Sequence, residues 1–463
     1  MTRKARIGLL PLYLRLYDER RPEALAQFEP FLEAVVSGFE TRGVEVHRAE
    51  VCRLHGQFRK AVQAFRTSDV DMIVTLHLAY SPSLESVDAL VDSGLPILML
   101  DTTMDYDFGR EVDPSRIMLN HGIHGVQDLA SVLRRRGQRF HVVAGHVEKS
   151  DVLDRAAGIA RSAHAARVLR GMRALRVGPS FFGMGDFAVE EAVMKRVLGV
   201  AVDQIESGKL AADVRKVKPS EIDQEMARDR KAFRVDLPEE VHRRSVRVGL
   251  ALRRRLERGC YGAFSINFLA FDRGDGPVDT VPFLEASKAM ARGLGYAGEG
   301  DVLTASLVGA LSSTFGRATF TEIFCPDWKG GTLFLSHMGE MNPQVAARKP
   351  VLCELDSPFT PAQNPAVIAC APAPGPAVLV NLAPGPGETF GLIVAPVEVL
   401  PDTPNRKMHR TVRGWIQPSR DAAAFLESYS RLGGTHHSAL VLGEHTEAIC
   451  AFADFAGIES HRI

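Results

Sequence analysis

Near-continuous apolar runs, separated by amphipathic helical patterns over the first 170 or so residues, confine this chain to a narrow set of folds. The runs Ala5–Tyr13, Val44–Val51, Met72–Leu78, Pro96–Asp101 and Phe140–Ala144 lack the strict alternation of a sheet wet on one face. Each therefore reads as a strand covered on both faces. Helical patterns such as Ala24–Arg42 and Phe58–Thr67 lie between them. The alternation predicts a doubly wound parallel sheet, with Leu76-His77 and Asp101-Thr102-Thr103 at the strand ends that line its carboxyl-edge crevice. No Gly-x-Gly-x-x-Gly follows a strand. Gly183-Met184-Gly185 is too short for a phosphate loop and reads as a flexible turn.

A second α/β region is expected from 172 to 328. It has a strand at Ala174–Gly178, helices at Val189–Leu198 and Pro219–Ala232, and a long helix at Glu239–Arg258. That helix carries Arg243, Arg244, Arg247, Arg253, Arg254 and Arg255, which could suggest nucleic acid. The interleaved Val246, Leu250, Leu252 and Leu256 favour an amphipathic helix with a solvated or subunit-facing side. From about 329 the pattern turns to β, with runs at Thr332–Met338, Ala366–Ala371, Ala377–Asn381, Thr389–Val399 and His409–Ile416 punctuated by Pro and Gly. Helix, strand and helix close the chain at Asp421–Leu432, around His436-His437, and at Thr446–Ala456. The expected fold is two doubly wound, Rossmann- or flavodoxin-like α/β domains (1–171 and 172–328) followed by a mainly antiparallel β domain (329–463).

The 463 residues give ample core for two or three domains. With 56 basic and 56 acidic residues the formal net charge is zero, so no global field points to nucleic acid or an anionic membrane. No uncharged run approaches the roughly 18 to 20 apolar residues of a membrane span. Six cysteines form no Cys-x-x-Cys pair, and the basic start runs into Arg15, Asp18, Glu19 and Arg20 without a cleavage pattern. Both features point to a reducing, cytoplasmic setting.

The stretch Gly298–Asn342 carries the chemistry. In the strand Ala318–Phe324, period-two alternation places Glu322 on the face of Phe320 and Phe324, where a carboxylate must be paired, protonated or bound to a cation. In the next strand His337 shares its face with Leu333 and Leu335. Glu299 sits in a Gly-flanked turn before a helix that Asp301 can N-cap. Two carboxylates and one imidazole among apolar neighbours suit Mn²⁺, Mg²⁺ or Co²⁺ better than a structural zinc site. An internal ion pair for Glu322 and a hydrogen-bonded core role for His337 remain alternatives. In a strand through His436 and His437 the two rings should point to opposite faces, so that only one joins the site.

Gly298-Glu299-Gly300-Asp301 with its Thr-Ala-Ser-Leu helix, Phe320-Thr-Glu322, Ser336-His337-Met338-Gly-Glu340 and Gly433-Gly-Thr-His-His437 together resemble the L-arabinose isomerase family in order and spacing. Met118-Leu-Asn120-His121-Gly-Ile-His124-Gly125, Ala263-Phe264-Ser-Ile-Asn267-Phe268 and Val142-Val143-Ala144-Gly145-His146 are similar to it as well. The resemblance implies a metal-dependent aldose–ketose isomerase acting on a free sugar through a cis-enediol. It implies Glu299, Glu322, His337 and His437 around Mn²⁺, with Glu299 and Glu322 moving the proton, and Phe320 and Phe324 excluding water. It also implies substrate contacts from His124, Phe268, His436 and Met184, and a homo-oligomer, trimer or hexamer, with sites near subunit contacts and His124 reaching a neighbour's pocket.

The departures fall on sugar-contacting positions. Leu9-Leu10-Pro11-Leu12-Tyr13 replaces a Ser-Gln-His-like strand end, Ile323-Phe324 replaces Asp-Tyr, and His121 stands where the family has Gln. L-Fucose, another uncommon sugar, or a non-catalytic sugar-binding role on the same scaffold therefore compete with L-arabinose.

Overall fold

The computed structural model describes residues 3–271, 276–357, 359–403 and 407–463. The chain divides into two compact units, Arg3–Arg167 and Val168–Ile463.

In the first unit five strands, β1 (Arg6–Leu12), β2 (Glu45–Arg48), β3 (Met72–His77), β4 (Ile97–Asp101) and β5 (His141–Ala144), form a sheet of order β2-β1-β3-β4-β5. Every pairing is parallel. This is the flavodoxin-like order of a doubly wound fold. All of β3 and all but the first residue of β1 are buried, which is why those strands show no in-out alternation. Two expectations need correction. The run Val44–Val51 forms a strand only over Glu45–Arg48. The pattern Ala24–Arg42 splits into a 3₁₀ turn at Pro22–Phe28 and a helix at Glu29–Thr41, because Pro30 suits a first helical turn and not a helix interior.

The second unit continues with β6 (Arg173–Val177), β7 (Ala201–Ile205), β8 (Arg234–Asp236), β9 (Ala263–Ile266) and β10 (Gly295–Gly298). Four of these make a parallel sheet of order β10-β9-β6-β7. The remaining strands are β11 (Ala318–Asp327), β12 (Thr332–Ser336), β13 (Val351–Glu354), β14 (Ala366–Ala369), β15 (Gly375–Pro384), β16 (Phe390–Val399), β17 (Gly414–Pro418), β18 (His437–Leu442) and β19 (Glu459–Arg462). Six of them follow the order β15-β18-β11-β12-β17-β16, and β15 also pairs with β16. The sheet closes into an antiparallel barrel, with β19 added parallel to β16. The expected strand His409–Ile416 is displaced to Gly414–Pro418, where β17 pairs with β12 and β16.

The helix Val302–Phe315 is buried from Val302 to Ser312 and packs on strands of both the parallel sheet and the barrel. A helix apolar on every side belongs inside a fold. It ties the parallel layer to the barrel. The basic helix forms as expected over Glu239–Arg258, and its arginines meet carboxylates: Arg243 with Asp223, Arg247 with Asp279, Arg253 with Glu225 and Glu285, and Arg255 with Asp213. Its cationic face is neutralised within the unit.

In the first unit Asp71 is a buried anchor. It accepts from both Arg3 Nη atoms at 2.7 Å and from the Arg6 amide at 2.9 Å, and His164 Nδ1 lies 3.2 Å away. Burial would raise its pKa, but His164, Arg3 and the amide outweigh that and push it down to about 2. A carboxyl whose folded pKa lies below its unfolded value of about 3.9 stabilises the fold above that pH and loses the contribution as pH falls toward the folded value. Asp71→Asn is therefore expected to lower the melting temperature by a few degrees at pH 7. The two proteins' melting curves should converge between about pH 4 and pH 2. Parallel curves through that window would remove Asp71 from the acid response.

Candidate metal centre

Register brings the site together. In β11, Glu322 lies directly opposite His437 of β18 on one side and Ser336 of β12 on the other, and His337 follows Ser336 immediately. Glu299 arrives from the parallel sheet, one residue beyond β10. Ligand atoms of Glu299, His337 and His437 all lie within 4.8 Å of one another. Nε2 of His337 is 4.0 Å from Glu322 Oε2, and Nε2 of His437 is 3.5 Å from Glu299 Oε2.

Each imidazole is fixed from behind. His437 Nδ1 meets Asp301 Oδ2 at 2.9 Å, while Asp301 Oδ1 accepts from the Thr304 amide at 2.8 Å and caps the central helix. His337 Nδ1 meets Glu340 Oε2 at 2.8 Å, and Glu340 Oε1 accepts from the Tyr296 hydroxyl at 2.6 Å. With Nδ1 committed to a carboxylate, Nε2 is the atom presented to the centre, as a metal-binding histidine requires. Nε2 of His437 is buried without a hydrogen-bond partner. An orphaned imidazole nitrogen beside a second imidazole and a carboxylate is the donor set of a divalent-cation site, and the residues fit such an ion.

Local sequence explains the approach. Glu299 has φ +63°, a left-handed backbone that costs a non-glycine residue on the order of 1–3 kcal/mol. Its carbonyl accepts from the Phe181 amide at 2.9 Å, which helps hold that conformation. At Gly298 a methyl group would lie 2.7 Å from Cε1 of His337, so glycine admits the ring. Phe320, fully buried, packs against both rings in T-shaped contacts, with centroids 4.6 Å from His337 and 4.9 Å from His437.

The carboxyls differ in character. Burial raises the Glu322 pKa, and the neighbouring imidazoles offset this only in part. Burial acts on Glu299 too, but the hydrogen bond from His436 and the imidazole charges outweigh it and hold its pKa below the usual value. Burial would lower His337, yet Glu340 raises it above the ordinary histidine range.

Two expectations are corrected here. Phe324 does not wall the pocket. The β11–β12 register shifts between Ile323 and Cys325, and the bulge turns Phe324 outward, 45% exposed. Nor do His436 and His437 part to opposite sides, for His436 precedes the strand, outside its alternation. Its Nε2 also lies 3.5 Å from Glu299 Oε2, and the two rings stand 4.1 Å apart.

Of the remaining expected contacts, Phe268 packs 5.8 Å from Phe181 beside the Glu299 backbone, and the Met184 amide donates to the Phe181 carbonyl in the same loop. His124 belongs to the first unit, where it lies 5.8 Å from His121, itself 3.1 Å from the Tyr17 hydroxyl. The structure adds Asp186, Phe187, Tyr296 and Glu340 to the site's surroundings. Only Glu340 left a signal, three residues after His337.

Residues 184–315 match the L-arabinose isomerase central domain and residues 317–459 the L-arabinose isomerase C-terminal domain. An L-arabinose isomerase of Nocardioides sp. is 30% identical over 412 residues, covering 85% of this chain and 80% of that protein. The chain belongs to the L-arabinose isomerase family. L-arabinose isomerase 1 of Bacillus licheniformis is 26% identical over 96% of this chain and 91% of its own length, and the L-arabinose isomerase of Geobacillus kaustophilus is 26% identical over the same shares. Membership places the chain among aldose–ketose isomerases, and both matched domains contribute to the centre, Glu299 from the central one and Glu322, His337 and His437 from the C-terminal one.

Asp301 separates two effects in one position. Asp301→Asn keeps a capping oxygen and is expected to leave thermal stability nearly intact while weakening divalent-cation affinity about 10- to 100-fold. Asp301→Ala should add a loss of roughly 1 kcal/mol or more in stability. Calorimetric titration with Mn²⁺ and thermal melts read the two separately; equal cation affinity in all three proteins would remove Asp301 from the centre.

Proposed function

We propose that this chain is a divalent-metal-dependent isomerase that interconverts an aldose and its ketose by proton transfer between adjacent carbons. The observation that carries the reading is the orphaned His437 Nε2, set among Glu299, His337 and Glu322 with both histidines held by buried carboxylates. When bound to Glu299, Glu322, His337 and His437, a divalent cation such as Mn²⁺ supplies Lewis-acid polarisation of the sugar's carbonyl and neighbouring hydroxyl.

The chain's own groups do the rest. Glu299 and Glu322 take a proton from one carbon and return it to the next, through a cis-enediol. Burial pushes the Glu322 pKa up, while His436 and the neighbouring imidazoles hold that of Glu299 down, so the two carboxyls differ in proton affinity, as an acid–base pair requires. Phe320 keeps water from the imidazole side. His436, half-buried at the mouth, presents Nε2 beside Glu299 where a sugar hydroxyl would arrive, and Phe268 and Met184 contribute from the adjoining loops. We assign the protein a free sugar as substrate, a homo-oligomeric state with His124 serving a neighbouring copy, and a cytoplasmic setting.

A second reading concerns the sugar. His121, where relatives of the resemblance carry Gln, is engaged with the Tyr17 hydroxyl and offers an aromatic surface in place of an amide. L-Fucose or another uncommon sugar therefore stands beside L-arabinose as the alternative substrate.

Metal-stripped protein, with and without Mn²⁺, incubated in deuterated water with aldoses and ketoses and scored for interconversion and carbon-bound deuterium, tests both readings. Metal-dependent interconversion names the substrate. Tight Mn²⁺ binding without turnover of any sugar would favour a sugar-binding protein on the same scaffold. Glu322→Gln is expected to fold normally and to lose about 10²- to 10⁴-fold in kcat; near-normal turnover would sink the proton-transfer role.

A further inference from the structure

The loop 179–188 leads from the carboxyl end of β6 across the metal centre. The Pro179 carbonyl accepts from Asn267 Nδ2 at 3.0 Å, and the Phe181 amide donates to Glu299. At its far end Phe187 is buried and stacks on His437, with centroids 5.3 Å apart and planes at 12°. Between these anchors lie Gly183 and Gly185, where an added methyl group would meet open space. The packing therefore imposes no side chain there, yet the carboxylate of the next residue, the exposed Asp186, reaches His436.

Asp186 makes one set of contacts. Its Oδ2 accepts from the His436 backbone amide at 2.9 Å and faces His436 Nδ1 at 2.6 Å. Among the described residues it forms no ion pair with lysine or arginine, and His436 is its sole charged partner. Gripping the amide and the ring of one residue fixes χ1, ring orientation and the role of Nδ1 together. The opposite nitrogen, Nε2, is thereby aimed at Glu299 Oε2, 3.5 Å away. His437 Nε2 reaches that same oxygen at 3.5 Å. Asp301 orients one histidine and Asp186 the other, so one carboxylate oxygen is addressed by two imidazoles, each steered by an aspartate from a different element.

We propose that Asp186 is a positioning residue for the isomerisation, acting through His436 to hold the Glu299 carboxylate in the orientation from which it exchanges the substrate proton. The inference rests on the isomerase reading above. It assigns the loop a role beyond that of Phe187, which packs against the His436 ring with centroids 5.5 Å apart, and of the Phe181 amide, since the hydrogen-bond partner of His436 Nδ1 is Asp186.

The test is a double-mutant cycle in the full-length, Mn²⁺-loaded protein, with crystal structures as a readout independent of turnover. Asp186→Ala and His436→Gln should each lower kcat about 10-fold or more, and the double variant should be no worse than His436→Gln alone, because two residues acting as a unit are not additive. Asp186→Glu, which can still reach the ring, should recover most of the loss, and Mn²⁺ affinity should stay within about threefold throughout. In the Asp186→Ala structure the His436 ring should turn away from Glu299. Additive losses in the cycle, wild-type kcat in Asp186→Ala, or an unmoved His436 ring would each overturn the proposal. Should the wild-type protein turn over no sugar, the isomerase reading fails by itself, and the His436 ring in the Asp186→Ala structure still decides whether Asp186 positions it.

Discussion

Two carboxylates that stand behind the histidines of the candidate metal centre hold it in shape. Asp301 and Glu340 are both fully buried, and a charge so placed is tolerable only when hydrogen bonds replace its water. Asp301 meets that demand with a helix amide and His437, and Glu340 with the Tyr296 hydroxyl and His337. Each link is therefore obligatory in both directions. Losing the histidine strands the carboxylate, and losing the carboxylate frees the ring. Because Asp301 also begins the central buried helix, the orientation of a ligand in the barrel and the start of a helix beneath the parallel sheet share a single side chain.

Much of the fold was legible wherever burial imposes a period. In the first parallel sheet the central strands β1, β3 and β4 follow from nearly unbroken apolar runs, and the helices Pro219–Ala232, Glu239–Arg258 and Thr446–Ala456 occupy the expected residues. Legibility fails where tertiary contact and not local pattern defines the strand. β8 has three residues and β19 reads Glu-Ser-His-Arg; both exist because a neighbouring strand offers a ladder to complete. The closure of the barrel through β15 and β16 is likewise a matter of register, invisible to composition or period.

The site was legible at the level of residue type and not at the level of direction. Glu322 and His337 could be singled out because polar side chains in apolar surroundings need a reason to be there, whereas Glu299 and His437 stood out only through the family resemblance. Period-two reasoning then misdirected Phe324, since a bulge resets the alternation, and parted two histidines that a strand boundary keeps together. Asp186 gave no warning at all. An aspartate in a glycine-rich loop is ordinary, and only its contacts with His436 distinguish it.

The distance along the chain between the parts of the centre has a consequence for assembly. Asp301 and His437 meet across 136 residues, and the ring of strands that carries His437 must close before they do. Contacts of such long sequence separation form only after the intervening chain has lost most of its freedom. The centre therefore depends on contacts of long sequence separation, unlike that of small zinc modules, whose ligands lie close together on a short chain. A cation bound by Glu299, His337 and His437 would meet side chains that the fold itself draws within 4.8 Å of one another.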